Sequence, residues 1–168
     1  ARMAGVTDRP FRTLCKYVGA GHAVSEMMTA DKTLRKSRKS LYRANFEGEL
    51  APISAQIAGS DPEQLAEAAR YQVANGAQIV DINMGCPAGI IVEQGSGSAH
   101  IKDWQTAQKV IRAAQEGAEH LPVSVKTRIG YNKIEFMEWL PKILECNIPV
   151  LTVHLRTRKE MSKVPAHW

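Results

Sequence analysis

Hydrophobic and polar positions along this chain switch repeatedly between two periods. Short apolar runs bounded by turn residues fall at 24–27, 52–57, 78–83, 123–127 and 150–154, with the length and composition of strands. Between them, apolar residues recur at helical spacing. Leu65, Ala69 and Val73 form one stripe, Ala107, Val110, Ile111 and Ala114 a second, and Phe136, Leu140, Ile143 and Leu144 a third. Start and stop signals frame these stripes. Ser60-Asp61-Pro62-Glu63 reads as a capping box with proline in the first turn, Asn75-Gly76 as a C-terminal stop, and Asp103 as the cap of the next helix. An earlier helix is expected over 9–17, with Phe11 and Leu14 turned inward.

Strand and helix in alternation predict an α/β fold with a parallel sheet and helical crossovers, and connections this short leave no linker or domain boundary. A barrel and a doubly wound open sheet both satisfy that pattern. Two observations favour the barrel. No Gly-x-Gly-x-x-Gly leads from a strand into a helix, since Gly95-Ser96-Gly97-Ser98 lies in a loop well after its strand. Polar residues end strand after strand: Glu26, Gln56, Asn83, Lys126 and His154. Side chains converging on one mouth from many strands are a property of (β/α) barrels.

Composition narrows the class only a little. The chain has 168 residues, 44% hydrophobic and 23% charged, with a net charge of +5. No stretch approaches the ~20 apolar residues of a membrane span. The N-terminus lacks the basic head and apolar run of a signal peptide. Cys15, Cys86 and Cys146 are widely spaced and odd in number, which speaks against a disulfide framework or a zinc site and for a reducing, cytoplasmic setting. The charge distribution says more. Lys32, Arg35, Lys36, Arg38, Lys39 and Arg43 crowd residues 32–43, either as a solvated surface or as a phosphate-contacting patch.

The most specific chemistry sits in Asp81-Ile82-Asn83-Met84-Gly85-Cys86-Pro87-Ala88. The apolar segment before it reads as a buried strand that delivers Asn83 and Cys86 to the mouth of the fold. Gly85 lets the backbone turn or lie close to a bound ring, and Pro87 stiffens the exit. Taken singly, each candidate has an ordinary alternative. A lone cysteine is more often a small buried hydrophobe than a catalyst, and a lysine at a strand end can be a snorkelling surface residue. His154 could be a hydrogen-bonded structural histidine, and Gln56 could satisfy backbone groups.

Taken in order, these segments resemble the tRNA-dihydrouridine synthases, most closely the bacterial B subfamily. The anchors are 3–12 (Met-Ala-Gly-Val-Thr-Asp-Arg-Pro-Phe-Arg), 25–28 (Ser-Glu-Met-Met), 56–59 (Gln-Ile-Ala-Gly), the 81–88 run, 125–128 (Val-Lys-Thr-Arg), and His154 with Arg156-Thr157-Arg158. The resemblance implies an FMN-binding (β/α)8 TIM barrel that reduces uridines in tRNA to 5,6-dihydrouridine, with NADPH or NADH as reductant. It implies cofactor contacts from Met3, Ala4, Gln56, Lys126 and His154. Asn83 would hold the target uracil, and Cys86 would donate the proton that completes the reduction. A thiol, being protonated at neutral pH, suits that role without an activating histidine. Arg35, Lys36 and Lys39 would contact the tRNA. No metal and no membrane enter this chemistry.

The chain departs from the family pattern at Arg2, where proline is usual, at Gly89-Ile90-Ile91, where a lysine-bearing segment is usual, and at His100, where an apolar residue is usual. It is expected to hold about six of eight strands, so that 1–168 is a partial FMN-binding barrel domain without the C-terminal strands and the helical tRNA-binding domain. Two other readings stay open: a non-catalytic barrel fragment with weak RNA binding, and an FMN barrel acting on free pyrimidines.

Overall fold

The computed structural model describes residues 6–35 and 37–168, without the side chains of Leu34, Arg35 and Lys39. Its elements run α1 (Arg9–Tyr17), β1 (Ala23–Val24), β2 (Met28–Thr29), α2 (Lys32–Arg35), α3 (Arg38–Arg43), β3 (Ile53–Ala58), α4 (Pro62–Ala74), β4 (Ile79–Met84), α5 (Gly89–Glu93), a 3-10 segment (Gly97–Lys102), α6 (Trp104–Ala118), β5 (Val123–Arg128), α7 (Phe136–Leu144) and β6 (Leu151–His154). All strand pairs are parallel, in the order β1-β3-β4-β5-β6, with β2 also on β3. The order never reverses, as it would in a doubly wound sheet. The strands curl into a partial barrel.

The strand expected over 24–27 is two short strands instead. Val24 pairs with Ser54 and Met28 with Ile57, so Ser25, Glu26 and Met27 stand opposite only Ala55 and Gln56. This is a β-bulge. Ser25 holds it: its amide donates to Ser54 O at 2.8 Å, and its Oγ accepts the Gln56 amide at 2.9 Å, replacing a backbone acceptor.

Strand alternation sends Ile57, Val80, Ile82, Met84 and Val125 outward, where each is fully buried against Leu65, Ala68 and Ala69 of α4 and Ala107, Val110, Ile111 and Ala114 of α6. Small residues let these two helices approach closely. A Cβ on Gly117 would stand 2.1 Å from Ala66 O. The alternate residues, Gln56, Asp81, Asn83, Ser124, Lys126, Thr152 and His154, face inward.

Three expectations about helices need correction. The cap of α4 is Asp61, not Ser60: its side chain accepts the Gln64 amide at 2.8 Å, while Ser60 Oγ donates to Gln94 O. Phe11 and Leu14 are 43% and 60% exposed, and the buried residue of α1 is Arg12. Arg12 pairs with Glu49 through two nitrogens and donates to Thr7 O at 2.7 Å, so an ion pair rather than an apolar stripe sets the roll of this helix. In α7, Trp139 and Ile143 form the buried face, and Phe136 and Leu144 are exposed. The Trp139 indole N–H donates to Thr127 Oγ1 at 3.0 Å, a partner that fixes the helix with that face inward.

Gly117→Ala should destabilise the protein by about 1–3 kcal/mol through overpacking of α4 on α6. Urea unfolding of the variant beside the parent checks this.

Candidate functional site

The inward row of the sheet converges on the segment after β4. Asn83 closes a local turn: its Oδ1 accepts the amides of Gly85 at 3.1 Å and Cys86 at 2.8 Å. Three further contacts fasten the same loop. Arg128 Nε donates to Gly85 O at 2.7 Å, the Ser98 amide donates to Cys86 O at 3.0 Å, and Thr127 Oγ1 donates to Met84 O at 3.0 Å. Gly97 lies at φ +61°, and a Cβ there would sit 2.8 Å from Cys86 O. Gly85 lies against the Thr127 backbone of β5, the close approach being to protein. The loop is therefore held from β4, β5 and the Gly97 turn together, with Cys86 partly exposed at its tip.

Behind the loop runs a buried polar chain. Asn83 Nδ2 donates to Gln56 Oε1 at 2.7 Å, Gln56 Nε2 donates to Asp81 Oδ2 at 2.5 Å, and Ser124 Oγ donates to Asp81 Oδ1 at 2.7 Å. Gln56 has no exposed surface.

Beside this chain, a cavity of about 810 Å³ opens between β1 and β6. Asp81, Ser124, Lys126, His154 and Arg156 line its polar side; Phe11, Val24 and Trp168 line an apolar side. The register sets Lys126 opposite Asn83 and His154 opposite Arg128. Burial, then the charges of Arg128, Lys126 and Arg156, lower the His154 pKa to about 4. Burial also lowers the Arg128 pKa, against the opposing influence of Cys86 nearby. The imidazole is thus neutral at physiological pH amid three cations, an arrangement suited to an anionic ligand.

The family model for dihydrouridine synthase (Dus) matches residues 1–168. The chain belongs to the dihydrouridine synthase family. It is 48% identical over 162 residues to tRNA-dihydrouridine synthase B of Xanthomonas axonopodis pv. citri, covering 95% of this chain and 48% of that protein. Proteins of the same name from Vibrio vulnificus (45% identity, 100% of this chain, 52% of the relative) and Pseudomonas aeruginosa (46%, 96% and 49%) are comparably similar. The chain spans about half the length of these curated relatives.

Within this chain, Asn83, Gln56 and Cys86 fall in one bonded unit, and Lys126 and His154 in the adjoining cavity. Met3, Ala4 and Lys36 lie outside the described residues. Arg35 ends α2 and Lys39 lies in α3, so the basic segment is helical on both sides of Lys36. Among its described side chains, Lys32 pairs with Glu67 at 2.7 Å, and Arg43 with Glu26 at 3.4 Å and Met27 O at 3.1 Å. Among the described residues no helix is long and apolar enough to cross a membrane, and no group of three or more His, Cys, Asp or Glu side chains could hold a metal. Sequence reasoning assigned no role to Asp81, Ser124, Arg128 or Gly97. The signal for the first three is the alternation of polar residues in Asp81-x-Asn83 and Ser124-x-Lys126-x-Arg128; Gly97 carries none until its neighbour in space is known.

Because the folded His154 stays neutral down to about pH 4 while an unfolded histidine protonates near 6.5, its contribution to stability is complete above that value. It is lost as pH falls from about 6.5 toward 4. The His154 ring resonance should titrate with a midpoint near 4, and His154→Asn should flatten the pH dependence of urea stability in that window.

Proposed function

We propose that this chain is the part of a flavin-dependent tRNA-dihydrouridine synthase that holds the proton donor. The observation that carries the reading is the multiply fastened Cys86 loop beside a polar, cation-lined cavity. That cavity fits FMN in kind: cations for a phosphate and for the polar edge of the ring, and a facing apolar side for its plane. Lys126 and His154 would hold the cofactor, joined by Met3 and Ala4. Gln56, sealed from solvent, contributes through the residues it orients. With FMN held there and recharged by NADPH or NADH, the site would have a hydride source for C6 of the target uracil.

The protein's own part is to hold the uracil and complete its reduction. Cys86 Sγ–H gives its proton to C5, as a positioned general acid. Asn83 Nδ2 carries a second proton besides the one given to Gln56, and this proton would be offered to a uracil carbonyl. Leaving the stacked RNA costs the uridine a few kcal/mol. Phosphate contacts from Arg35, Lys36 and Lys39 would help offset this. The relatives' names specify tRNA, which favours the polymeric substrate over free pyrimidines. Their greater length would leave room for the strands that complete the barrel and for a helical tRNA-binding domain.

In the full-length enzyme, Cys86→Ala should leave FMN content and nicotinamide-driven flavin reduction nearly intact. Dihydrouridine formation should fall by about 10²–10⁴-fold. Single-turnover reoxidation of the reduced enzyme by uridine-containing tRNA measures this, and a wild-type rate would make Cys86 structural. Separately, reversing the charges of Arg35, Lys36 and Lys39 should weaken tRNA binding and flatten its dependence on salt. An unchanged salt slope would make this segment a solvated face.

A further inference from the structure

Every member of the chain from Ser124 to the Cys86 loop is an amide, a hydroxyl or a carboxylate, and only the carboxylate has a single polarity. Asp81 accepts at both oxygens, from Ser124 Oγ at 2.7 Å and from Gln56 Nε2 at 2.5 Å. A carboxylate offers acceptors alone. Gln56 must therefore turn its Nε2 toward Asp81, which leaves Oε1 facing Asn83. Asn83 must then turn Nδ2 toward Gln56, which leaves Oδ1 facing the amides of Gly85 and Cys86. Reverse the Gln56 amide and every later contact reverses: Asn83 Nδ2 would meet two backbone N–H donors, and the loop would lose its anchor. All four side chains are buried, so water does not offer an easy replacement.

We propose that Asp81 is a positioning residue for Cys86, acting through the fixed polarity of Gln56 and Asn83. Its influence reaches the loop by way of those two side chains. Its part in dihydrouridine formation rests on the proton-donor reading of Cys86; its part in setting the loop does not.

Reversing the chain tests this in the full-length enzyme. Asn83→Asp puts a carboxylate against Gln56 Oε1 and breaks the sequence of donors. Adding Asp81→Asn restores it in the opposite sense, at unchanged net charge. The carboxylate now at position 83 then accepts from the loop amides and from Gln56 Nε2. The amide now at position 81 donates to Gln56 Oε1 and accepts from Ser124. Two readouts are followed: iodoacetamide alkylation of Cys86, by peptide mass spectrometry, and single-turnover dihydrouridine formation. The single variant should alkylate at a clearly altered rate and form dihydrouridine about 10²-fold more slowly, as expected of a misplaced reacting group. The double variant should return toward wild type in alkylation, while dihydrouridine formation stays slow because a carboxylate at position 83 has no N–H for the uracil. Gln56→Glu with Asp81→Asn, which keeps Asn83, should recover both. A folded double variant, with wild-type melting temperature and FMN content but the alkylation rate of the single variant, would overturn the proposal. If Asn83→Asp does not fold, Gln56→Glu with and without Asp81→Asn poses the same question, since a carboxylate at position 56 can only accept and an amide at position 81 can donate to it. Recovery of alkylation without any dihydrouridine formation, in wild type as well, would uphold the relay and refute the proposed reaction.

Discussion

The fold rests on the division of labour between the two faces of one curled sheet. A barrel interior is ordinarily filled by branched apolar side chains. Here the inward row is amides, hydroxyls, carboxylate and cations, so cohesion has to come from the outward row. Ile57, Val80, Ile82, Met84 and Val125 supply it against the alanine-rich faces of α4 and α6. Close helix packing at Gly117 and Ala66 belongs to the same solution, because small residues let the two helices lie against each other as they cover the strands. The inner face is left free for chemistry, and each polar group there must find a partner or a ligand.

The two halves of that inner face solve the problem differently. Around Asp81, Gln56, Asn83 and Ser124, partners are found within the protein, in a continuous sequence of hydrogen bonds. Around Lys126, Arg128, His154 and Arg156, cations crowd the imidazole, Arg128 and Arg156 also donating to backbone carbonyls, and the imidazole responds by staying neutral. The first half is rigid in its polarity. The second carries an excess of positive charge, which a bound anion would offset.

Much of this was legible in the sequence. The strand–helix alternation, the polar strand ends and the 81–88 run indicated a barrel, its mouth and the placement of Asn83 and Cys86 together, and the family resemblance indicated that the barrel is partial. Local signals failed where tertiary partners decided the outcome. Phe11 and Leu14 have the spacing of a buried stripe, yet Arg12 with Glu49 governs the roll of α1. Trp139 wins the buried face of α7 because Thr127 offers its indole a hydrogen bond. Asp61 rather than Ser60 caps α4, a shift of one residue that periodicity does not resolve. Asp81 could not be assigned a role from its neighbours in sequence, since its partners Gln56 and Ser124 lie on different strands. The basic character of residues 32–43 was plain, but not that Lys32 and Arg43 are drawn into contacts with Glu67 and Glu26.

The bulge formed by Ser25, Glu26 and Met27 bears on how this segment can change over time. Residues there can be exchanged, provided a side-chain oxygen at 25 still receives the Gln56 amide. The number of residues cannot change so easily. Removing one would slide β1 or β2 by a single position along β3, and side-chain period two would send its inward residues outward. Lengthening the stretch would separate the pairings at Ser54 and Ile57. Drift in this part of the fold is thus open to substitution and closed to insertion or deletion, in contrast to an ordinary surface loop.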